Sequence, residues 1–112
     1  MSNLSSHVLD LALGQPARGL ALRLEALDGD VWRTLAAVVT DADGRARDLL
    51  GGAPLQPRTY RLTFETGAYF AAAGRPSFYP CVEVTFQVTA PGEHHHVPLL
   101  LSPFGYSTYR GS

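Results

Sequence analysis

Val82-Glu83-Val84-Thr85-Phe86-Gln87-Val88-Thr89 alternates apolar and polar side chains without a break. A strand turns successive side chains to opposite faces, so Val82, Val84, Phe86 and Val88 share one face and the polar residues share the other. Such a segment buries one face and wets the other, the habit of antiparallel sheets. Working outward, the same period returns. Tyr60, Leu62 and Phe64 alternate with Arg61, Thr63 and Glu65, and Leu20, Leu22 and Leu24 with Ala21, Arg23 and Glu25. The pattern predicts further strands at about 6–12, 31–39, 95–101 and 106–111, with a short one near Leu49-Leu50. Turn signals part them at Gly14-Gln15-Pro16, Asp28-Gly29-Asp30, Asp43-Gly44, Gly51-Gly52-Ala53-Pro54 and Pro91-Gly92. The one helical candidate runs from Thr66 to Gly74, with Gly74 and Pro76 as its stop. This predicts an all-β fold, an antiparallel β-sandwich of about eight strands with one short helix.

The 112 residues suffice for a single domain, 1–112, with one core. A domain this small leaves little room for an enclosed active site, so a site built between subunits is expected. Net charge is −1, and all nine basic residues are arginines. That balance gives no electrostatic footprint for nucleic acid. Cys81 is the only cysteine and cannot close an internal disulfide. It reads as a buried or half-buried strand residue, and nothing calls for an oxidising compartment. Asp10 interrupts the short apolar run around Val8-Leu9 and Leu11-Ala12, and no basic stretch precedes it. A signal peptide or membrane span is not expected, and the expected location is cytoplasmic.

Three places carry chemistry. In His94-His95-His96, strand alternation puts His94 and His96 on one face and His95 on the other, with Val97, Leu99 and Leu101 turned to the core. The cluster alone fits exposed loop-edge imidazoles, a general base or metal ligands. The last needs three or four ligands around one ion, and nothing nearby in sequence completes such a set. His7, at the start of a strand, reads as a surface or capping residue unless the fold or an oligomer brings it near His96. Arg45 follows Thr40-Asp41-Ala42-Asp43-Gly44, where Asp-Gly reads as a tight hairpin turn. Arg45 is either a solvated turn residue or a fork for a carbonyl-rich ligand. Beyond His96, the turn residues Pro103-Phe104-Gly105 predict a hairpin. One register sets His96 opposite Ser112, another opposite Gly111, and the sequence leaves both open.

Ser6-His7-Val8-Leu9-Asp10, Thr40-Asp41-Ala42-Asp43-Gly44-Arg45, Ser77-Phe78-Tyr79-Pro80, His94-His95-His96-Val97-Pro98-Leu99-Leu100-Leu101-Ser102-Pro103 and Tyr109-Arg110-Gly111-Ser112 together resemble the 5-hydroxyisourate hydrolase family, transthyretin-related enzymes of urate breakdown. The resemblance spans essentially the whole chain, and the closing Tyr-Arg-Gly-Ser is its most specific part. It implies a prealbumin-like sandwich of about eight strands. It also implies a homotetramer, a dimer of dimers with a central channel, with active sites at the dimer–dimer interface. The catalytic set carried over is His7, Arg45, His96 and Ser112, with Arg45 and Tyr109 against the substrate. No metal or organic cofactor is implied, and neither nucleic acid nor membrane is an expected partner.

The implied reaction is hydrolysis of 5-hydroxyisourate to 2-oxo-4-hydroxy-4-carboxy-5-ureidoimidazoline. The family commonly has His-Tyr-His where this chain has His94-His95-His96, a change on the face away from the chemistry. The related hormone carrier, transthyretin, has a small residue where this chain has Tyr109, and an open channel. Tyr109 therefore favours the enzyme over the two rivals, a carrier for aromatic ligands and a metal-binding sandwich using His94 and His96.

Overall fold

A computed structural model describes residues 3–111. Nine strands and one helix follow in the order β1 (Leu4–Asp10), β2 (Gln15–Pro16), β3 (Ala21–Asp28), β4 (Val31–Val39), β5 (Arg45–Ala46), β6 (Thr59–Phe64), α1 (Thr66–Ala72), β7 (Val82–Gln87), β8 (His95–Ser102) and β9 (Gly105–Thr108). One sheet runs β2-β1-β8-β9, with β5 also paired to β1; the other runs β4-β3-β6-β7. The alternating residues meet between the two sheets. Leu4, Val8, Leu99 and Leu101 come from one, and Leu22, Leu24, Leu62 and Phe64 from the other, all nearly inaccessible. Among the described residues no helix is long and apolar enough to cross a membrane.

The β-sandwich with one short helix is as expected, with local differences, among them the two-residue strand β2 at Gln15–Pro16 inside an expected turn. The pairing of β1 with β8 is parallel, while every other named ladder is antiparallel. Strand alternation fixes faces but carries no information about direction. Leu49-Leu50 is a turn, and the short strand lies at Arg45–Ala46. Leu49 is nonetheless buried, so its apolarity fills the core without a ladder. The Asp43-Gly44 turn joins β4 in one sheet to β5 in the other, so it is a crossover and not a hairpin. Cys81 is half-buried in the loop just before β7.

Helix α1 ends where glycine permits it. Gly74 has φ +67°, and Arg75 N donates to Phe70 O at 2.9 Å. The helix drops Phe70 into the core. It also sets Tyr69 and Arg75 against Asp10, a carboxylate on the core-facing side of β1. Arg75 Nη1 and Nη2 donate to Asp10 at 2.7 and 3.2 Å, and the Tyr69 hydroxyl donates at 2.9 Å. Burial raises the Asp10 pKa, but these hydrogen bonds outweigh it and the carboxyl stays below its ordinary range.

Candidate active site

The outer face of β1, away from the core, carries Ser5, His7 and Leu9, because Leu4, Ser6, Val8 and Asp10 point inward. The parallel register sets Ser5 beside His96 and His7 beside Pro98. The antiparallel register with β5 sets His7 opposite Arg45. Directly opposed residues share a face, so three strands bring His7, Arg45 and His96 onto one surface.

The Asp43-Gly44 turn holds this arrangement. Asp41 Oδ1 accepts the amides of Asp43 and Arg45 at 2.8 and 3.0 Å, an Asx-type anchor. Gly44 has φ +74°, and a Cβ there would run into the Val8 carbonyl, so only glycine fits. The Val8 amide donates to Gly44 O at 2.8 Å and bolts the turn to β1. The turn thereby presents the Asp43 carbonyl to His7 Nε2 at 2.9 Å. A carbonyl only accepts, so His7 Nε2 carries a proton, and in the neutral ring Nδ1 keeps the lone pair. Arg47 pairs with both Asp41 and Asp43. Among the described residues no carboxylate pairs with the Arg45 guanidinium.

His96 is half-buried, and its pKa is lowered first by burial, then by the Arg45 guanidinium, and by His94 and His7 whenever those rings are protonated. The ring is thus held neutral, the form that accepts a proton. His94 lies nearly parallel to it, with ring centroids 6.4 Å apart and an interplanar angle of 23°. The Ser5 hydroxyl lies between them, 2.8 Å from His96 Nδ1 and 3.0 Å from His94 Nε2. His95 faces the opposite way, buried, with its Nδ1–H donated to Glu93 O at 2.9 Å. Among the described residues no cluster of His, Cys, Asp and Glu is placed to hold a metal ion.

The hairpin takes the register that sets His96 opposite Gly111, with Gly111 N donating to His96 O at 2.8 Å. A Cβ on Gly111 would lie 2.5 Å from His96 Cδ2, so glycine lets the chain pass under the ring. Ser112 lies outside the described residues. Between Thr108 and Gly111 the ladder opens, and the reason is Pro98. It has no N–H to offer Tyr109 opposite. Thr108 Oγ1 takes the Pro98 carbonyl instead, at 2.7 Å. Tyr109, 57% exposed, therefore leaves the sheet and borders a cleft of about 200 Å³ between the edges formed by β7 and β9. His96 reaches this cleft, while His7 and Arg45 do not line it. The sequence motifs missed Ser5. Its signal was parity with His7 on one strand face, which becomes informative only once β8 is known to lie alongside.

Fold and cluster together define a transthyretin-like sandwich bearing an imidazole–guanidinium surface. The profile of the HIUase/Transthyretin family matches residues 4–111, and the chain belongs to that family. The 5-hydroxyisourate hydrolase of Mus musculus is 49% identical over 113 residues, covering 99% of this chain and 96% of its own. The Klebsiella pneumoniae 5-hydroxyisourate hydrolase structure superposes with a TM-score of 0.88 at 45% identity, covering 99% of this chain and all of the other. Sea bream transthyretin in complex with thyroxine superposes with a TM-score of 0.89 at 34% identity, covering 97% and 94%. The fold is thus common to the hydrolase and to transthyretin, while the identity runs higher to the hydrolases, and the chain is an enzyme of that hydrolase class.

Proposed function

We propose that this protein hydrolyses 5-hydroxyisourate to 2-oxo-4-hydroxy-4-carboxy-5-ureidoimidazoline by histidine-assisted attack of water on a ring amide. One observation carries the reading: His96, an imidazole biased toward its neutral form, shares a surface with His7 and with the guanidinium of Arg45, which pairs with no carboxylate among the described residues. An open carrier channel needs apolar walls, and this surface is polar. The hydrolases named above extend over nearly the whole chain and favour the same reading.

In the proposed mechanism His96 takes a proton from water while the water oxygen bonds to the ring carbonyl carbon. His7, with its Nε2–H committed to Asp43, uses Nδ1 to orient the same water. Arg45 donates to the carbonyl oxygen as negative charge develops there, where a fixed cation is worth most. The carbon–nitrogen bond then breaks and the proton passes to the departing ring nitrogen. Ser112 orients His96 or the substrate. It is not read as a nucleophile, because no activating triad is evident in the sequence.

The site is a face and not an enclosed cavity, which supports its completion by a second subunit in a homotetramer, a dimer of dimers. The bulky Tyr109 would then shorten the shared channel. A cytoplasmic location goes with this reading, since Cys81 makes no demand on an oxidising compartment.

The test is the decay of freshly made 5-hydroxyisourate, followed by ultraviolet absorbance. The intact protein accelerates it, and His96→Gln loses about 10²–10⁴-fold, the usual worth of general-base assistance. A folded protein that leaves the spontaneous rate unchanged rejects the hydrolase and brings forward the carrier of aromatic ligands.

A further inference from the structure

The Ser5 hydroxyl touches two imidazoles at once, His96 Nδ1 at 2.8 Å and His94 Nε2 at 3.0 Å. From this geometry we infer that Ser5 is a positioning residue that selects the tautomer of His96, with His94 as its second anchor. The inference rests on the hydrolase reading above and names how its base is prepared.

A neutral imidazole carries one proton on one of two nitrogens. His96 can take a proton at Nε2 only if its own proton is on Nδ1. Nδ1–H then donates to Ser5 Oγ, and the Ser5 O–H is free to donate to the lone pair of His94 Nε2. The three groups form a directed chain, from His96 through Ser5 to His94. Run the other way, His94 Nε2–H donates to Ser5 and Ser5 donates to His96 Nδ1. That leaves a proton on His96 Nε2 and no base. One hydroxyl thus couples the tautomers of two rings. The near-parallel stacking of the rings keeps both nitrogens within reach of it.

Ser5 also acts differentially. When His96 takes the proton of water it becomes an imidazolium, and its Nδ1–H bond to Ser5 becomes charge-assisted and stronger. An interaction that strengthens only as charge develops raises kcat and leaves substrate binding nearly alone. The proton leaves again from His96 Nε2 to the ring nitrogen of the opened product, and Ser5 and His94 finish as they began. Arg45 and His7 repel a proton from His96, while a backbone hydrogen bond with Ser5 favours the protonated ring.

The experiment pairs kinetics with nuclear magnetic resonance of the ligand-free protein, reading the His96 tautomer from its ring ¹⁵N shifts. In the unaltered protein His96 carries its proton on Nδ1. Ser5→Ala lowers kcat about ten- to a hundredfold with KM nearly unchanged, the worth of one hydrogen bond to a charged group. It also shifts the ring toward the Nε2–H form. Ser5→Thr, which keeps the hydroxyl, restores both. Should Ser5→Ala fold poorly, His94→Phe keeps the stacked ring and removes the acceptor, and the same tautomer shift is expected. An unchanged His96 tautomer or an unchanged kcat in Ser5→Ala overturns the inference. Absence of hydrolysis by the unaltered protein overturns the hydrolase reading instead, and the tautomer spectrum still decides what Ser5 does.

Discussion

Gly111 shows how one residue serves the site without touching substrate. Its amide anchors the chain to the His96 carbonyl, and its missing side chain leaves space for the imidazole. Adding a methyl group forces either the ring or the backbone to move, because the nearest atom is in the planar ring and not at a flexible tip. A shift near 1 Å in a catalytic group can cost about 10²-fold. Gly111→Ala therefore loses about 10²-fold in kcat/KM while the melting temperature changes little, since the segment is otherwise exposed. Equal kcat/KM for the two proteins would show that His96 is not held by this contact. Histidine parity was legible at this scale: the alternation alone placed His95 opposite His94 and His96. The tautomers were not legible, because they depend on Asp43 and Ser5, which the sequence alone does not place beside the rings.

Among the elements, α1 and β1 are tied by the Asp10–Arg75 pair. The Asp10 side chain is fully buried and that of Arg75 is 21% exposed. Removing one partner of a buried pair leaves an uncompensated charge, at a cost of about 3–5 kcal/mol. Arg75→Ala is expected to lose that much in urea unfolding, with activity per folded molecule retained. The sign with pH follows from the lowered Asp10 pKa. The contribution is whole above the unfolded carboxyl value of 3.8 and is lost as pH falls through the lower folded value. The difference between Arg75→Ala and the unaltered protein should therefore shrink in strong acid, and a constant difference down to that range would contradict the pairing. The sequence offered Asp10 only as a break in an apolar run. Its partners, Tyr69 at a separation of 59 residues and Arg75 at 65, arrive through the helix.

For the whole molecule, the sandwich leaves Phe104, Tyr106 and Tyr109 exposed along or beside the four-residue edge strand β9. An uncovered edge with large apolar side chains is a place for another chain to pair. On the proposed tetramer, light scattering after size exclusion gives four copies of the 12.1 kDa chain. Specific activity then falls on dilution in step with dissociation, because each site borrows a wall from its neighbour. A monomer active at full rate would end the shared-site proposal while leaving the chemistry of His96 intact.

The sequence by itself determined which residues face the core, where α1 stops, and that His94 and His96 share a face. Those properties follow from periods of two and from the torsional freedom of Gly74, both local. Only the tertiary structure decided the parallel direction of β1 beside β8, the Pro98 gap that releases Tyr109, and the meeting of Ser5 with His96 across 91 residues. Strand alternation is the same whichever strand lies alongside and whichever way it runs. The partner and its direction are settled by packing the whole sandwich, and the site is made by that choice.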